Sequence, residues 1–266
     1  MLIHKMRLDD YMAVLDVNSG AVHLVDEVIY DLLDYYDGTN PDTAKSVADF
    51  GVFVAGPAAM SIDTYNSFNT IAPTANGSLA IGVGNTVSQA MSTAIGSMNQ
   101  VTATGTEGYS VAIGQGNKAT GTMSVALGHV TESSGENSLT TGYRTKASGA
   151  YAQAGGNQTL ASGEGSFAHG SAVAADAITA SGNGAVAIGI TEGTGKITAS
   201  GNGAIALGAV PDAKETTASG KGSFAMNGGL ARGEGSFVVA CPVSEAWGYA
   251  AANGKGAVAF GSAGAH

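Results

Sequence analysis

The chain is poor in cysteine, proline, charge and aromatic side chains, and each shortage removes a class of explanation. Cys241 is the only cysteine among 266 residues. It leaves no intrachain disulfide and no cysteine cluster for a metal. Lysine and arginine number 11 against 21 aspartates and glutamates, a net charge of −10. Nucleic acid is therefore excluded as the main partner, because phosphate binding needs clustered cations. No long hydrophobic run exists: residues 50–60 are apolar but short, and Gly51, Gly56 and Pro57 interrupt them. Membrane insertion is not expected. Residues 1–10 lack an apolar core and carry Asp9 and Asp10, unlike a secretory signal. As encoded, the chain is expected in the cytoplasm, with surface or virion display left to another export route.

Glycine is what the sequence has in quantity, 41 residues of it. Interior glycines cost a helix about 1 kcal/mol each relative to alanine, so long helices are disfavoured. Disorder is disfavoured too, since only 12% of residues are charged and small apolar residues alternate throughout. Strands punctuated by turns remain. Glycine and charge both change near residue 50. Residues 1–50 hold Gly20 and Gly38 alone and a net charge of −7; residues 51–266 hold the other glycines and a net of −3. We read three segments: a small α+β unit at 1–50, a connector at 51–74, and a repetitive domain at 75–266.

In the first segment, Ala13-Val14-Leu15-Asp16-Val17 and Ala21-Val22-His23-Leu24-Val25 are β-prone runs around Asn18-Ser19-Gly20. That pattern predicts a hairpin. Asp26 then offers a helix N-cap, with Val28, Leu32, Leu33 and Tyr36 at helical spacing and Gly38 as the stop. Asn40-Pro41-Asp42 opens a second short helix reaching Phe50.

In the last segment a five-residue strand ending in glycine returns again and again. It reads Ser78-Leu79-Ala80-Ile81-Gly82, Ser92-Thr93-Ala94-Ile95-Gly96, Ser110-Val111-Ala112-Ile113-Gly114 and Ser124-Val125-Ala126-Leu127-Gly128. From Gly82 to Gly170 the terminal glycines are spaced 14, 18, 14, 14, 14 and 14; the next three steps are 19 each. The anchors mark twelve coils in all. A fixed period of this size signals a solenoid whose coils bury their apolar faces by stacking.

Alternation along a strand puts Val111 and Ile113 on one face and Ser110, Ala112 and Gly114 on the other. The branched residues are expected to form the core ladder: Ile81, Ile95, Val111, Ile113, Val125, Leu127, Val186, Ile188, Ile205, Leu207, Val258 and Phe260. The small-residue face is then left for close approach by another copy of the chain. Seven residues before the end of most anchors stands a glycine such as Gly121, Gly135 or Gly149, expected at positive φ where the coil turns back.

The Ser-Val-Ala-Ile-Gly anchors with intervening Ala-Ser-Gly, over about residues 75–261, resemble the head repeats of YadA-like trimeric autotransporter adhesins. The resemblance implies a left-handed parallel β-roll, three chains about one axis, and binding of surfaces or matrix proteins. Related repeats also occur in phage fibres. Separately, Val14-Leu15-Asp16-Val17-Asn18-Ser19-Gly20-Ala21-Val22-His23, with Val25-Asp26 and Tyr30-Asp31, resembles the N-terminal peptide-recognition segment of radical-SAM maturases of SCIFF peptides. That family's iron–sulfur cluster needs several cysteines, so only a docking or leader module over residues 1–38 is implied; the alternative for residues 1–50 is a hairpin-plus-helix cap on the end of the roll.

Catalytic and cofactor chemistry finds no pattern. The turns carry no Asp ladder of the kind that binds calcium in β-rolls, as Gly182-Asn183-Gly184 and Gly220-Lys221-Gly222 show. No nucleophile elbow with triad partners occurs, and no phosphate loop with its lysine. His129 and His169 read as surface residues. The 19-residue coils add five residues each, around 174–178, 192–197 and 212–217. Their Asp176, Glu192, Lys196, Asp212, Lys214 and Glu215 form a candidate partner edge. Trp247 and Tyr249 are expected to cap the far end of the roll. The resulting expectation is a non-enzymatic, cofactor-free, self-associating β-roll that presents a repetitive surface to a protein or surface ligand. The rivals are a peptide-recognition module fused to a roll, and a phage tail-fibre component.

Overall fold

The computed structural model describes strand backbones at 3–8, 11–16, 21–25, 52–54 and 60–63, and residues 69–102, 108–240 and 250–261 throughout. The described residues contain strands and turns and no helix. The helices expected at 26–50, and Cys241, Trp247 and Tyr249, lie outside them.

The N-terminal hairpin forms: Tyr11–Asp16 pairs antiparallel with Ala21–Val25, Asp16 opposite Ala21. A further strand that the sequence pattern did not suggest, Ile3–Leu8, pairs antiparallel on the other side of Tyr11–Asp16. The three make a separate sheet.

The rest is a parallel β-solenoid. Each coil contributes a long strand to a 14-stranded sheet and a short strand to a 12-stranded one. Stacking is in register: Ile95 pairs with Ile113, Ile113 with Leu127, and Gly96, Gly114 and Gly128 follow one another. The short strands match likewise, Val87 beside Val101 beside Ala119. Two strands of the connector belong to this body. Met60–Asp63 pairs parallel with Leu79–Val83, and Val52–Val54 folds back antiparallel on Met60–Asp63. The roll's N-terminal edge is thereby covered by a hairpin instead of being left open.

The interior reverses one expectation. Ala80, Ala94, Ala112 and Ala126 are fully buried, as are Ser92, Ser110 and Ser124 beside them. The branched residues between them stand outside: Val111 and Leu127 are half-buried, Ile113 is 39% exposed, Val258 60% and Phe260 74%. The branched ladder exists, since Ile81, Ile95, Ile113 and Leu127 stack in register, as do Val111 with Val125 and Val186 with Ile205. It runs along the outer face of the roll, with Ile188, Leu207 and Phe260 in the same column farther on. The physical reason is space. Two strands joined by tight turns within about fourteen residues lie too close to hold large side chains between them, so alanine and serine fill the gap.

The close fit also explains the turn glycines, and corrects the expectation about them. Gly121 and Gly135 are not at positive φ. They are required because a Cβ on Gly121 would strike the carbonyl oxygen of Gly135 in the next coil. Positive φ falls instead on the anchor's own glycine, such as Gly114 at +121°.

Candidate interaction surfaces

Three features of the roll have chemistry to offer. The first lies inside. Asn85, Asn99 and Asn117 stack in successive coils, each fully buried. The Nδ2 of Asn99 donates to Oδ1 of Asn85 at 3.0 Å and to the carbonyls of Ile95 at 3.0 Å and Gly114 at 2.9 Å. The backbone N–H of Asn99 also donates to Asn85 Oδ1, at 3.1 Å. Asn117 repeats the arrangement on Asn99, and Thr131 closes the series with its hydroxyl on Asn117 Oδ1 at 2.8 Å. Each amide thus ties its own coil to both neighbours, and every polar atom in the stack has a partner. Sequence reading missed this column. Its signal was a polar residue three positions after each anchor glycine from Gly82 to Gly156: Asn85, Asn99, Asn117, Thr131, Thr145 and Thr159.

The second feature is the loop edge of the longer coils. Asp176 sits in a turn at φ +55°, and its carbonyl accepts the Thr179 hydroxyl at 2.6 Å. Lys196 and Glu215 are register partners on adjacent strands. Asp212 is committed within its own loop row: its Oδ1 accepts Thr194 N–H at 2.6 Å, the Thr194 hydroxyl at 2.9 Å and Ala213 N–H at 2.9 Å. The Thr194 amide, followed by its hydroxyl, holds the Asp212 carboxyl below the usual carboxylate range. Lys214 lies beside it, its carbonyl accepting Lys196 N–H at 2.9 Å. Glu192 lines a shallow dent with Ile190, Ala209, Val210 and Pro211. The structure thus brings the six predicted residues to one edge, and gives Asp212 a structural task there.

The third feature is the outer face with its branched ladder. It is flanked in the earlier coils by large side chains at left-handed turn positions: Met91, Tyr109, Met123 and Tyr151 on one side, Met98 and Val130 on the other, all between 38% and 65% exposed. His129 packs on Tyr143 with ring centres 5.2 Å apart, and the Arg144 guanidinium lies 5.2 Å over the same ring. Phe224 and Phe237 stack at 4.8 Å and 10° toward the C-terminal end. Among the described residues no cluster of His, Cys, Asp or Glu is arranged to hold a metal ion, and no helix is long and apolar enough to cross a membrane.

The coil geometry, with its anchor strand, buried alanine column and in-register glycines, coincides with a family match. Two copies of the YadA head domain repeat match residues 74–99 and 103–131. These two segments, about a fifth of the chain, are similar to that repeat. The pairing register carries the same alanine column past the matched residues, from Ala126 through Thr140, Ala154, Ala168, Ala187, Ala206 and Ala225. The match leaves residues 1–73 outside it, so the likeness of residues 1–38 to the maturase segment gains no support. No curated protein matches the chain.

Proposed function

We propose that this chain is a non-enzymatic, adhesin-head-like structural protein that assembles as a homotrimer and presents the remaining roll surface to a protein or surface partner. The observation that carries the reading is the outer ladder. Val, Ile, Leu and Phe side chains, half-buried to exposed, line one face in two runs, from Leu79 to Leu127 and from Val186 to Phe260. Apolar stripes of that length are rare on a monomer facing water and mark an interface. Copies of the chain that place this face inward bury it. Three copies is the number that the YadA head resemblance implies. The loop edge bearing Glu192, Lys196, Lys214 and Glu215 then stays outside, available to a ligand. Light scattering at micromolar concentration is expected to give three times the chain mass of 26.1 kDa. A well-folded monomer would sink the reading.

The N-terminal segment has a reading of its own. Among the described residues its three-stranded sheet pairs with no strand of the roll, and Ile3–Leu8 and Ala21–Val25 stand at its two edges. An edge of this kind takes up an extended peptide by adding a strand. A docking unit over residues 1–50, joined to a roll that acts as spacer, follows. Truncation to residue 51 is expected to leave a soluble β-rich oligomer. Truncation to residue 75 removes the strands that cover the roll's edge and is expected to aggregate. If both truncations aggregate, residues 1–50 are part of the cap and the docking reading fails.

A further inference from the structure

The outer ladder is interrupted once. Its two columns run Leu79/Ile81, Thr93/Ile95, Val111/Ile113 and Val125/Leu127, and resume with Val186/Ile188, Ile205/Leu207 and Phe224/Met226. Between them come Leu139/Thr141, Gln153/Gly155 and Phe167/His169. Thr141, Gly155 and His169 thus replace three successive aliphatic residues in one column, and Gln153 replaces one in the other. Gly155 has no room for a side chain of its own: a Cβ there would stand 2.5 Å from Nδ1 of His169 and 3.1 Å from Oγ1 of Thr141. The imidazole lies across the glycine, stacked on Phe167 at 6.0 Å and 16°. Gln153 and His169 are exposed on the single chain. His169 is the only titratable group in either column between Leu79 and Phe260.

We propose that Thr141, Gln153, Gly155 and His169 form a polar layer through which copies of this chain recognise one another at equal height, and so set the axial register of the oligomer. The inference rests on the self-association argued above. A ladder of near-identical coils cannot fix register by itself. Sliding one copy by one coil, about 4.8 Å, sets apolar side chains against apolar side chains again. The polar layer breaks that degeneracy. In register, the Gln153 amide and the His169 imidazole of neighbouring copies meet groups that both donate and accept hydrogen bonds. After a one-coil slide, His169 of one copy faces Val186 and Ile188 of the next, while Thr141 of that next copy faces Val125 and Leu127, and both lose water without gaining a partner. A single polar position sets register in coiled coils by the same logic.

The test is co-refolding. Parent chain and an isotope-labelled H169L/Q153V chain are unfolded together, refolded at equal concentration and sorted by native mass spectrometry. Expected are homotypic oligomers, with mixed ones depleted about tenfold from the binomial share. A binomial distribution overturns the proposal. His169 and Gln153 are exposed in the single chain, so the double variant is expected to fold. Should it not, H169L alone gives the same comparison with a smaller depletion. A parent that runs as a monomer is seen in the same spectrum; it removes the self-association reading, and the layer with it. Oligomers that mix freely leave that reading intact and remove the layer alone.

Discussion

The earlier and later coils of the roll reach one geometry by different chemistry. From Asn85 to Thr159 the start of the return strand buries a column of amides and hydroxyls, each answering the next as far as Thr131, with Thr145 and Thr159 bonded to carbonyls of their own coils. From Ile178 to Ile197 the same column is aliphatic and fully buried. The short strands differ accordingly. They are two residues long in the earlier coils, as at Lys118–Ala119, and three or four around the isoleucines, at Ile178–Ala180, Lys196–Ala199 and Glu215–Ala218. The extra length supplies more backbone pairing and a wider interior that accepts isoleucine. The turns diverge in the opposite sense. Met91, Tyr109, Met123 and Tyr151 occupy left-handed backbone, whereas Gly184, Gly203, Gly222 and Gly235 stand at the equivalent later turns. The earlier half is held by hydrogen bonds and carries backbone strain at its rim. At Ile178 and Ile197 the column is held by apolar burial instead, before it turns polar again at Thr216, and glycine relieves the strain at the turns before the later anchors.

The sharpest break in this comparison separates inside from outside. Ala112→Asp puts a carboxylate into a site with no exposure and no partner, and is expected to cost more than about 4 kcal/mol and abolish folding. Ile113→Asp, one residue on, is expected to leave circular dichroism unchanged and abolish association, read by light scattering. If both variants lose β-structure alike, the outer placement of the ladder is wrong. Next comes the return column itself. Ile197→Ala removes a fully buried side chain from the later coils, about 2–5 kcal/mol. Asn99→Ala leaves the Asn117 N–H without its bond and Asn85 Oδ1 with the backbone N–H of residue 99 alone, roughly 1–3 kcal/mol. Urea melts of the two variants rank them. A larger loss from Asn99 would make the amide column the stronger support.

The period and the strand positions were legible because stacking demands repetition: the same anchor must recur or the register fails. The direction of the side chains was not. Alternation in Val111-Ala112-Ile113 divides two faces without saying which is interior, and hydrophobicity favours the wrong one. Coil thickness decides it, and thickness depends on how tightly Gly114 and Gly121 let successive turns approach, a distance that no single coil's sequence contains. The asparagine column was hidden for a related reason. A lone Asn85 reads as a turn residue, and its burial becomes visible only when Asn99 and Asn117 are placed above it. The candidate edge was legible as an insertion of five residues, but the bonds that occupy Asp212 come from Thr194, a whole coil away in sequence.

A smaller effect probes the rim. Tyr109 holds φ +62° and is 57% exposed. A non-glycine residue there costs about 1–2 kcal/mol, while glycine adds up to about 1 kcal/mol of chain entropy to the unfolded state. Tyr109→Gly is therefore expected to stabilise the fold by at most about 1 kcal/mol, seen as a slight rise in Tm at a concentration too low for association. Gly203→Tyr, at the equivalent later turn, is expected to shift Tm downward. Equal downward shifts from both would mean that Tyr109 contributes packing to its own chain that offsets its backbone strain.

The smallest expected effect belongs to Asp212, which is fully exposed. Three donors favour its ionised form, the Thr194 amide first, so its carboxyl titrates lower in the folded protein than in the unfolded chain. Such a group binds its proton more readily when unfolded. Its contribution to stability is thus complete above the unfolded value, about 3.9, and is lost as pH falls through the folded one. Solvent screening keeps the contribution small. Asp212→Asn retains an acceptor oxygen without the charge. Thermal melts of parent and variant from pH 6 down to pH 2 are expected to differ by a constant amount above about pH 5 and to converge below about pH 4. Amide exchange at Thr194 gives the local version of the same measurement, since its N–H is the one held at 2.6 Å. Protection there is expected to fall on the acid side in the parent and to stay flat in Asp212→Asn. The turns of the earlier coils, at Asn137 or Tyr151, serve as the control. A gap between the two proteins that widened with falling pH would show that the carboxylate is a liability in the loop row, and would return Asp212 to the set of residues free to meet a partner.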